Sequence, residues 1–190
     1  MYKSLDIPEI QSLDLREVVT YKAKEAYKQI KHPVLVEDTS LRFYVLGNLP
    51  GPLIKWFLEE LGKEGVCKLL DGYSDRSAVA EVVYGLHTGK EILFFEARVD
   101  GIMAGRPKGE NGFGWDATFI PIGCTKTWGK WILTSKTKPP SAEKQSQNLI
   151  RTLCYTLIQP RGGVKNFQKY LLNCVFFRST IQLWLIRIVI

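Results

Sequence analysis

Length, composition and charge describe an ordinary globular chain in which the charge is unevenly distributed. The 190 residues are 45% hydrophobic and 24% charged, which is enough for one full core and excludes disorder throughout. Residues 1–125 hold 15 Lys and Arg against 18 Asp and Glu, whereas residues 126–190 hold 11 against 1. The net charge of +7 therefore belongs to the C-terminal tail, and nucleic acid is not an expected partner of the folded part.

Cysteine spacing and hydrophobicity point to a cytoplasmic protein. The four cysteines contain no C-x-x-C pair, so neither a zinc site nor a disulfide framework is indicated. The N-terminus has no apolar signal-peptide core. The apolar stretch over residues 181–190 is shorter than the roughly 20 residues that a membrane-spanning helix needs. We therefore expect no membrane association.

The first predicted element is a helix over residues 14–31. Asp14 is suited to be its N-cap, and Glu17 follows at the spacing of a capping box. Lys22 falls inside the apolar stripe, so its ammonium is directed along the face that meets the protein. A lysine that reaches water from the edge of a core is the common explanation, and a cation aimed into a phosphate cleft is the alternative.

A buried strand follows at Val34-Leu35-Val36 and is succeeded by Glu37, Asp38 and Thr39. Because successive side chains of a strand alternate between faces, Glu37 and Asp38 cannot both face one ligand. Ligands of open α/β sheets bind beyond the carboxyl ends of strands, and we expect Asp38 and Thr39 to lie at that end. The simpler interpretation is that this pair caps a turn.

A loop over residues 47–52 is predicted to lead into a helix that begins at Pro52 and ends near Gly62, with a second short helix over residues 64–70. Lys55 lies in the first turn, where the helix dipole favours an anion, so a phosphate at the helix mouth would explain the lysine. Strands over residues 78–86 and 91–99 are then predicted to form a hairpin.

The segment Asn111-Gly112-Phe113-Gly114-Trp115-Asp116 joins glycines, aromatic rings and a carboxylate in six residues. Glycine lets the backbone approach a ligand, an aromatic ring can stack on a purine, and a carboxylate can accept from ring N–H groups. A glycine turn that leads into a strand is an equally good interpretation of the segment alone.

Three segments resemble, in order and character, segments of the inosine triphosphate pyrophosphatases: Val34–Thr39, Gly47–Phe57 and Asn111–Asp116. The likeness covers about Leu5 to Thr127. The resemblance implies an α/β fold with a long mixed twisted sheet flanked by helices, two lobes with a nucleotide cleft between them, and a homodimer. It implies hydrolysis of ITP, dITP and XTP to the monophosphate and pyrophosphate. A catalytically weak or inactive nucleotide-binding relative is the alternative.

The resemblance also implies roles for individual residues. It places Mg²⁺, for which Mn²⁺ is a possible substitute, on Glu9 and Asp38, and it makes Asp38 the group that orients or deprotonates the attacking water. The implied substrate contacts are Asp38 itself together with Lys22, Thr39, Lys55, Phe113, Gly114, Trp115, Asp116 and Lys144.

Two departures from the family pattern divide the chain. The family's N-terminal phosphate loop, of the type Thr/Ser-Gly-Asn-x-x-Lys, is expected to be missing, and Leu149-Ile150 stand where the family has His-Arg. We therefore predict an N-terminally truncated pyrophosphatase-like domain over residues 1–131. Residues 132–190 are predicted to be a divergent basic and apolar tail that is poorly ordered and dispensable to the core.

Overall fold

The computed structural model describes residues 5, 7–112 and 114–130, together with the backbone of residues 2–3 and 188–189. Its helices and strands, in chain order, are β1 (Tyr2–Lys3), α1 (Leu15–Ile30), β2 (Val34–Phe43), β3 (Pro50–Gly51), α2 (Ile54–Lys68), β4 (Ser77–His87), β5 (Ile92–Met103), β6 (Phe119–Pro121) and β7 (Ile188–Val189). Single 3-10 turns follow β2 and β6, at Tyr44–Leu46 and Trp128–Lys130.

The strands form one sheet in the order β1-β7-β2-β4-β5-β6, and β3 pairs with β2 beside this row. The predicted α/β class is confirmed. The expectation of a mixed sheet is not met by the described strands, whose pairings are all antiparallel. The predicted hairpin of β4 and β5 is present, and its turn is too short for the crossover that a parallel pair would need.

Strand β2 is longer than the sequence suggested, and this changes the position of Asp38. The strand continues through Phe43, and Asp38 pairs with Val83 in the middle of the ladder. The prediction that Asp38 and Thr39 lie at the carboxyl end of the strand is therefore wrong. The physical reason is that Leu41 and Phe43, both fully buried, prolong the alternation that holds a strand against a core.

Two core clusters lie on opposite faces of β2, as the alternation of its side chains requires. One packs beneath α1 and contains Ile7, Leu15, Val19, Ala23, Ala26, Val34, Val36 and Val83. The other packs beneath α2 and contains Leu41, Phe43, Ile54, Val66, Leu70, Ala78, Ala80, Met103, Trp115 and Phe119. The first cluster uses the beginning of β2 and the second its end, so that Asp38 lies between the two.

Helix α1 begins, and helix α2 bends, where their local sequences predict. The Asp14 carboxylate accepts from the N–H groups of Arg16 and Glu17, which confirms the predicted N-cap. The predicted capping box differs in detail, because the Ser12 hydroxyl accepts from the Asp14 N–H and donates to the Glu17 carboxylate. In α2 the predicted break is confirmed as a kink at Gly62, whose φ of 64° is left-handed.

The predicted tail is described only at β7, whose backbone pairs with β1 and with Leu35 of β2. The rest of residues 131–190 lies outside the described part of the chain, so the division at residue 131 stays a prediction. Within that described part, no helix is both long and apolar enough to cross a membrane.

Candidate active site

The central feature of the site is a lysine held between two carboxylates. Lys22 lies on the sheet-facing side of α1, where its side chain is only 6% exposed. Its Nζ is 2.9 Å from Asp38 Oδ2 on β2 and 2.9 Å from Glu9 Oε1 in the segment before α1. The lysine in the apolar stripe is therefore directed at the two predicted metal ligands rather than at bulk water.

The pKa values of Lys22 and Asp38 are both raised, for different reasons. Burial lowers the pKa of Lys22, but Asp38 and Glu9 outweigh that effect and the pKa is raised above 10.5. Burial also raises the pKa of Asp38 above 3.8, against the opposing influence of Lys22 and of the Thr39 N–H. Both shifts agree with an arrangement in which two carboxylates surround one ammonium.

A second lysine approaches the same group from α2. Lys55 is in the first turn of that helix, as predicted, and its Nζ is 4.0 Å from Glu9 Oε2. The ammonium also lies 5.2 Å from the ring centre of Trp56. Because β3 pairs along β2 immediately before α2 begins, the helix N-terminus lies beside the strand that carries Asp38.

A small open cavity of about 60 Å³ lies where these elements meet. It is lined by residues before α1, by Val18 and Asp38, and by the start of α2: Glu9, Ile10, Gln11, Ser12, Val18, Asp38, Pro52, Leu53, Lys55 and Trp56. The sequence reasoning missed Trp56, which is 51% exposed at this cavity. Its position directly after Lys55 in the first turn of a helix was the available signal.

Thr39 contributes through its backbone. Its N–H donates to Asp38 Oδ1 at 2.7 Å, while Lys22 holds Oδ2, so both carboxylate oxygens have a donor. By strand alternation the Thr39 side chain lies on the face of β2 opposite to that of Asp38. The Thr39 backbone therefore helps to fix the orientation of the Asp38 carboxylate, and the predicted contact of Thr39 with the substrate stays a prediction.

The predicted base pocket is described at Gly114, Trp115 and Asp116, whereas Phe113 and Lys144 lie outside the described residues. Trp115 is only 4% exposed and belongs to the core beneath α2. Its ring therefore packs inside the protein, which makes it a support of the loop rather than an open stacking surface. A Cβ on Gly114 would lie 3.5 Å from Leu58 of α2, so this loop contacts the helix that carries Lys55.

Close backbone approaches fix the shape of this loop. A Cβ on Gly112, whose φ is 92°, would lie 2.2 Å from Asp116 Oδ2, so the missing side chain makes room for that carboxylate. A Cβ on Gly109 would lie 2.1 Å from the carbonyl oxygen of Gly129. The N–H of Gly129 in turn donates to the Asp116 carbonyl at 2.7 Å. The loop and the 3-10 turn after β6 thus form one backbone-bonded unit.

The donor set suits a hard divalent cation that is completed by water and phosphate oxygens. Among the described residues, no three His, Cys, Asp or Glu side chains converge as a metal cage. Glu9 and Asp38 do converge on one cation, the Lys22 ammonium. Magnesium in phosphate-handling sites is commonly held by one or two carboxylates plus substrate phosphates, so these two residues fit it.

The fold and this cleft define an α/β protein whose site combines two carboxylates with two lysines. The model of the Ham1 family matches residues 1–140, and the chain belongs to that family. The match continues beyond Thr127, where we expected the resemblance to end.

Named relatives agree with this assignment. The chain is 48% identical over 128 residues to inosine triphosphate pyrophosphatase 2 of Trypanosoma cruzi. The aligned residues cover 66% of this chain and 65% of that relative. It is 44% identical over 127 residues to an inosine triphosphate pyrophosphatase of Batrachochytrium dendrobatidis, covering 66% of each. The chain thus spans slightly less than two thirds of the length of these relatives.

Solved structures show the same fold. A HAM1 protein from Coxiella burnetii aligns with a TM-score of 0.69 at 25% identity, over 80% of this chain and 82% of the other. The Ham1 protein of Staphylococcus aureus aligns with a TM-score of 0.64 at 24% identity, over 80% and 81%.

Proposed function

We propose that the chain hydrolyses non-standard purine nucleoside triphosphates, ITP, dITP and XTP, to the monophosphate and pyrophosphate. The observation that carries this proposal is the cleft in which Glu9, Lys22 and Asp38 meet and which Lys55 approaches from a helix N-terminus. The inosine triphosphate pyrophosphatases of Trypanosoma cruzi and Batrachochytrium dendrobatidis support it, at 48% and 44% identity.

Asp38 is the proposed base. Its carboxylate is 19% exposed and faces the cavity, and its raised pKa makes it a better proton acceptor than an exposed aspartate. Thr39 N–H and Lys22 hold the two oxygens in place, so the carboxylate is oriented before the substrate arrives. In this role Asp38 orients the attacking water and accepts its proton.

The lysines and the helix mouth bind the phosphates. Lys55 supplies an ammonium on one side of the cavity, and the N-terminus of α2 adds the positive end of the helix dipole there. Lys22 contributes its charge from beneath the carboxylates, where it limits their repulsion of a polyanion. The proposed site therefore attracts a triphosphate although it contains two acidic side chains.

Magnesium, or manganese in its place, belongs to the proposal as the partner of Glu9 and Asp38. When bound, such an ion neutralises charge on the phosphate oxygens. The donor chemistry of the two carboxylates supports this assignment.

Base recognition is proposed for the loop that contains Gly114, Trp115 and Asp116. This loop contacts α2 through Leu58, so a nucleotide whose phosphates lie at Lys55 has its base on the loop's side. Selection against adenine would rest on polar groups that a 6-oxo purine edge satisfies, and selection against guanine, which is also a 6-oxo purine, would rest on rejection of its 2-amino group. A homodimer, which rests on the resemblance to the pyrophosphatases, and a cytoplasmic location, which rests on the cysteine spacing, complete the proposal.

The test is a comparison of substrates. Pyrophosphate release is measured in Mg²⁺ with ITP, dITP and XTP, and with ATP and GTP at the same concentrations. The proposal expects the first three to be hydrolysed at a much higher kcat/KM. Equal rates for ITP and ATP would reject the proposed specificity, and no pyrophosphate from any of them would reject the activity.

A further inference from the structure

Arg76 lies just before β4. Its guanidinium joins the end of α2 to Met103 and Ala104, where the chain begins to approach the base loop, the loop that contains Gly114, Trp115 and Asp116. Nη2 donates to the carbonyl of Cys67 at 2.7 Å and to that of Ala104 at 3.0 Å. Nε donates to the carbonyl of Met103 at 3.0 Å. The Arg76 side chain is 22% exposed, and its Nη1 is 3.3 Å from the Asp71 carboxylate.

The bonds continue from Ala104 into the loop. The Ala104 N–H donates to the carbonyl of Thr118 at 2.7 Å. Both the N–H and the hydroxyl of Thr118 donate to the carbonyl of Trp115 at 2.7 Å. Thr118 is fully buried and Trp115 nearly so, which means that water does not compete for these bonds. A displacement of Ala104 is therefore transmitted to Trp115.

The other end of the connection is α2, which carries Lys55 in its first turn and, beyond the kink at Gly62, Cys67 in its last. The same helix lies next to the loop, since a Cβ on Gly114 would be in van der Waals contact with Leu58, at 3.5 Å. Arg76 thus ties the far end of the phosphate-side helix to the base-side loop. Only arginine has the planar fork of donors that three carbonyls in two segments require, because a lysine is a point charge on a flexible stem.

We propose that Arg76 is a positioning residue that sets the distance between the phosphate-binding end of α2 and the purine-binding loop. The inference rests on the proposed function for its substrate, although the linkage itself does not. Arg76 does not line the cavity, and its side-chain bonds to Cys67, Met103, Ala104 and Asp71 reach no lining residue, so it acts through Trp115 and α2. Its loss should weaken recognition of the base and leave recognition of the phosphates intact.

The experiment uses the full chain with Arg76→Lys, and Arg76→Gln as a second variant that keeps two N–H donors without the charge. Asp71→Asn is the matched control, because Asp71 is 61% exposed and its change removes the ion pair while the carbonyl bonds remain. We measure kcat and KM for ITP and the inhibition constant of tripolyphosphate, which has no base. Hydrogen exchange is followed at the amides of Ala104 and Thr118.

The expected result for Arg76→Lys is a rise of about tenfold in the KM for ITP, with kcat and the tripolyphosphate constant within about twofold of the unmodified chain. Exchange at Ala104 and Thr118 should accelerate in this variant and not in Asp71→Asn. An unchanged KM, or equal losses of ITP and tripolyphosphate binding, would overturn the proposal. So would failure of both Arg76 variants to fold, which would assign the residue to stability alone.

The two proposals fail in different ways. If the unmodified chain does not hydrolyse ITP, the proposed function fails, while hydrogen exchange still tests the linkage through Arg76. If the unmodified chain is active and the exchange rates at Ala104 and Thr118 are equal in all variants, only the linkage fails.

Discussion

Replacing Lys22 by methionine removes the ammonium from between Glu9 and Asp38 and keeps most of the apolar stem. Loss of one partner of a buried ion pair typically costs about 3–5 kcal/mol. Glu9 is 40% exposed and can be rehydrated, so most of the penalty falls on Asp38, which is 19% exposed. We therefore expect the free energy of unfolding to fall by about 2–3 kcal/mol, which corresponds to a decrease of roughly 5–10 °C in Tm.

The pH dependence of this loss has a definite sign. The pKa of Asp38 is already raised in the folded chain, and it should rise further without Lys22. A carboxyl with a folded pKa above its unfolded value destabilises the fold increasingly as pH rises through that interval. The difference in Tm between Lys22→Met and the unmodified chain should therefore be small near pH 4 and largest near neutral pH.

The assay is thermal unfolding followed by circular dichroism at several pH values, with and without Mg²⁺. Magnesium should stabilise Lys22→Met more than the unmodified chain, because a divalent cation replaces the missing charge; a ligand at 100 times its Kd contributes about 2.7 kcal/mol. Lys28→Met is the matched control, since Lys28 pairs with Glu25 on the exposed side of α1, and its Tm should not change. An equal Tm for Lys22→Met and Lys28→Met would refute the reasoning.

Three further predictions concern single side chains. Asp38→Asn should lower kcat by about 10²–10⁴ while the circular dichroism spectrum is retained, because the amide keeps the shape of the side chain and loses its basicity. Unchanged turnover at saturating Mg²⁺ would reject Asp38 as the base. In equilibrium titrations, Lys55→Ala should weaken binding of ITP and tripolyphosphate and leave binding of inosine unchanged. The control is Lys63→Ala, at an exposed position beyond the kink of α2, which should change none of these affinities. Equal losses for inosine and ITP would place Lys55 outside the phosphate site. Burial raises the pKa of Cys67 from 9.0 to about 11, so the native state retains a proton that the unfolded state loses between these pH values. The free energy of unfolding should therefore fall by up to about 2–3 kcal/mol between pH 9 and pH 11. In urea titrations, Cys67→Ala should lack this decline.

The lysines of the site were visible in the sequence because each conflicts with its surroundings. Lys22 lies in an apolar stripe, and Lys55 lies at the helix end that disfavours cations. Such conflicts between local pattern and residue type are typical of functional sites. Glu9 has no such signal, because an acidic residue in an irregular segment is ordinary, and only the resemblance to a family indicated it.

Contacts between distant segments account for what the sequence did not reveal. Asp38 was expected at a strand end, but the strand continues because Leu41 and Phe43 pack against α2, which comes later in the chain. The burial of Trp115 in the core cluster that contains Leu41, Phe43 and Phe119 was also not visible in the sequence, and its predicted contact with the substrate stays a prediction. Arg76 bonds to backbone carbonyls, which are present at every residue and leave no pattern in sequence.

The most direct test of the account is the identity of the bond that is cleaved. Incubation of the full chain with ITP and Mg²⁺, followed by ³¹P nuclear magnetic resonance, distinguishes the two possible sets of products. We predict IMP and pyrophosphate in equal amounts, both formed about 10²–10⁴ times more slowly by Asp38→Asn. Formation of IDP and orthophosphate, or equal product formation by Asp38→Asn, would contradict it.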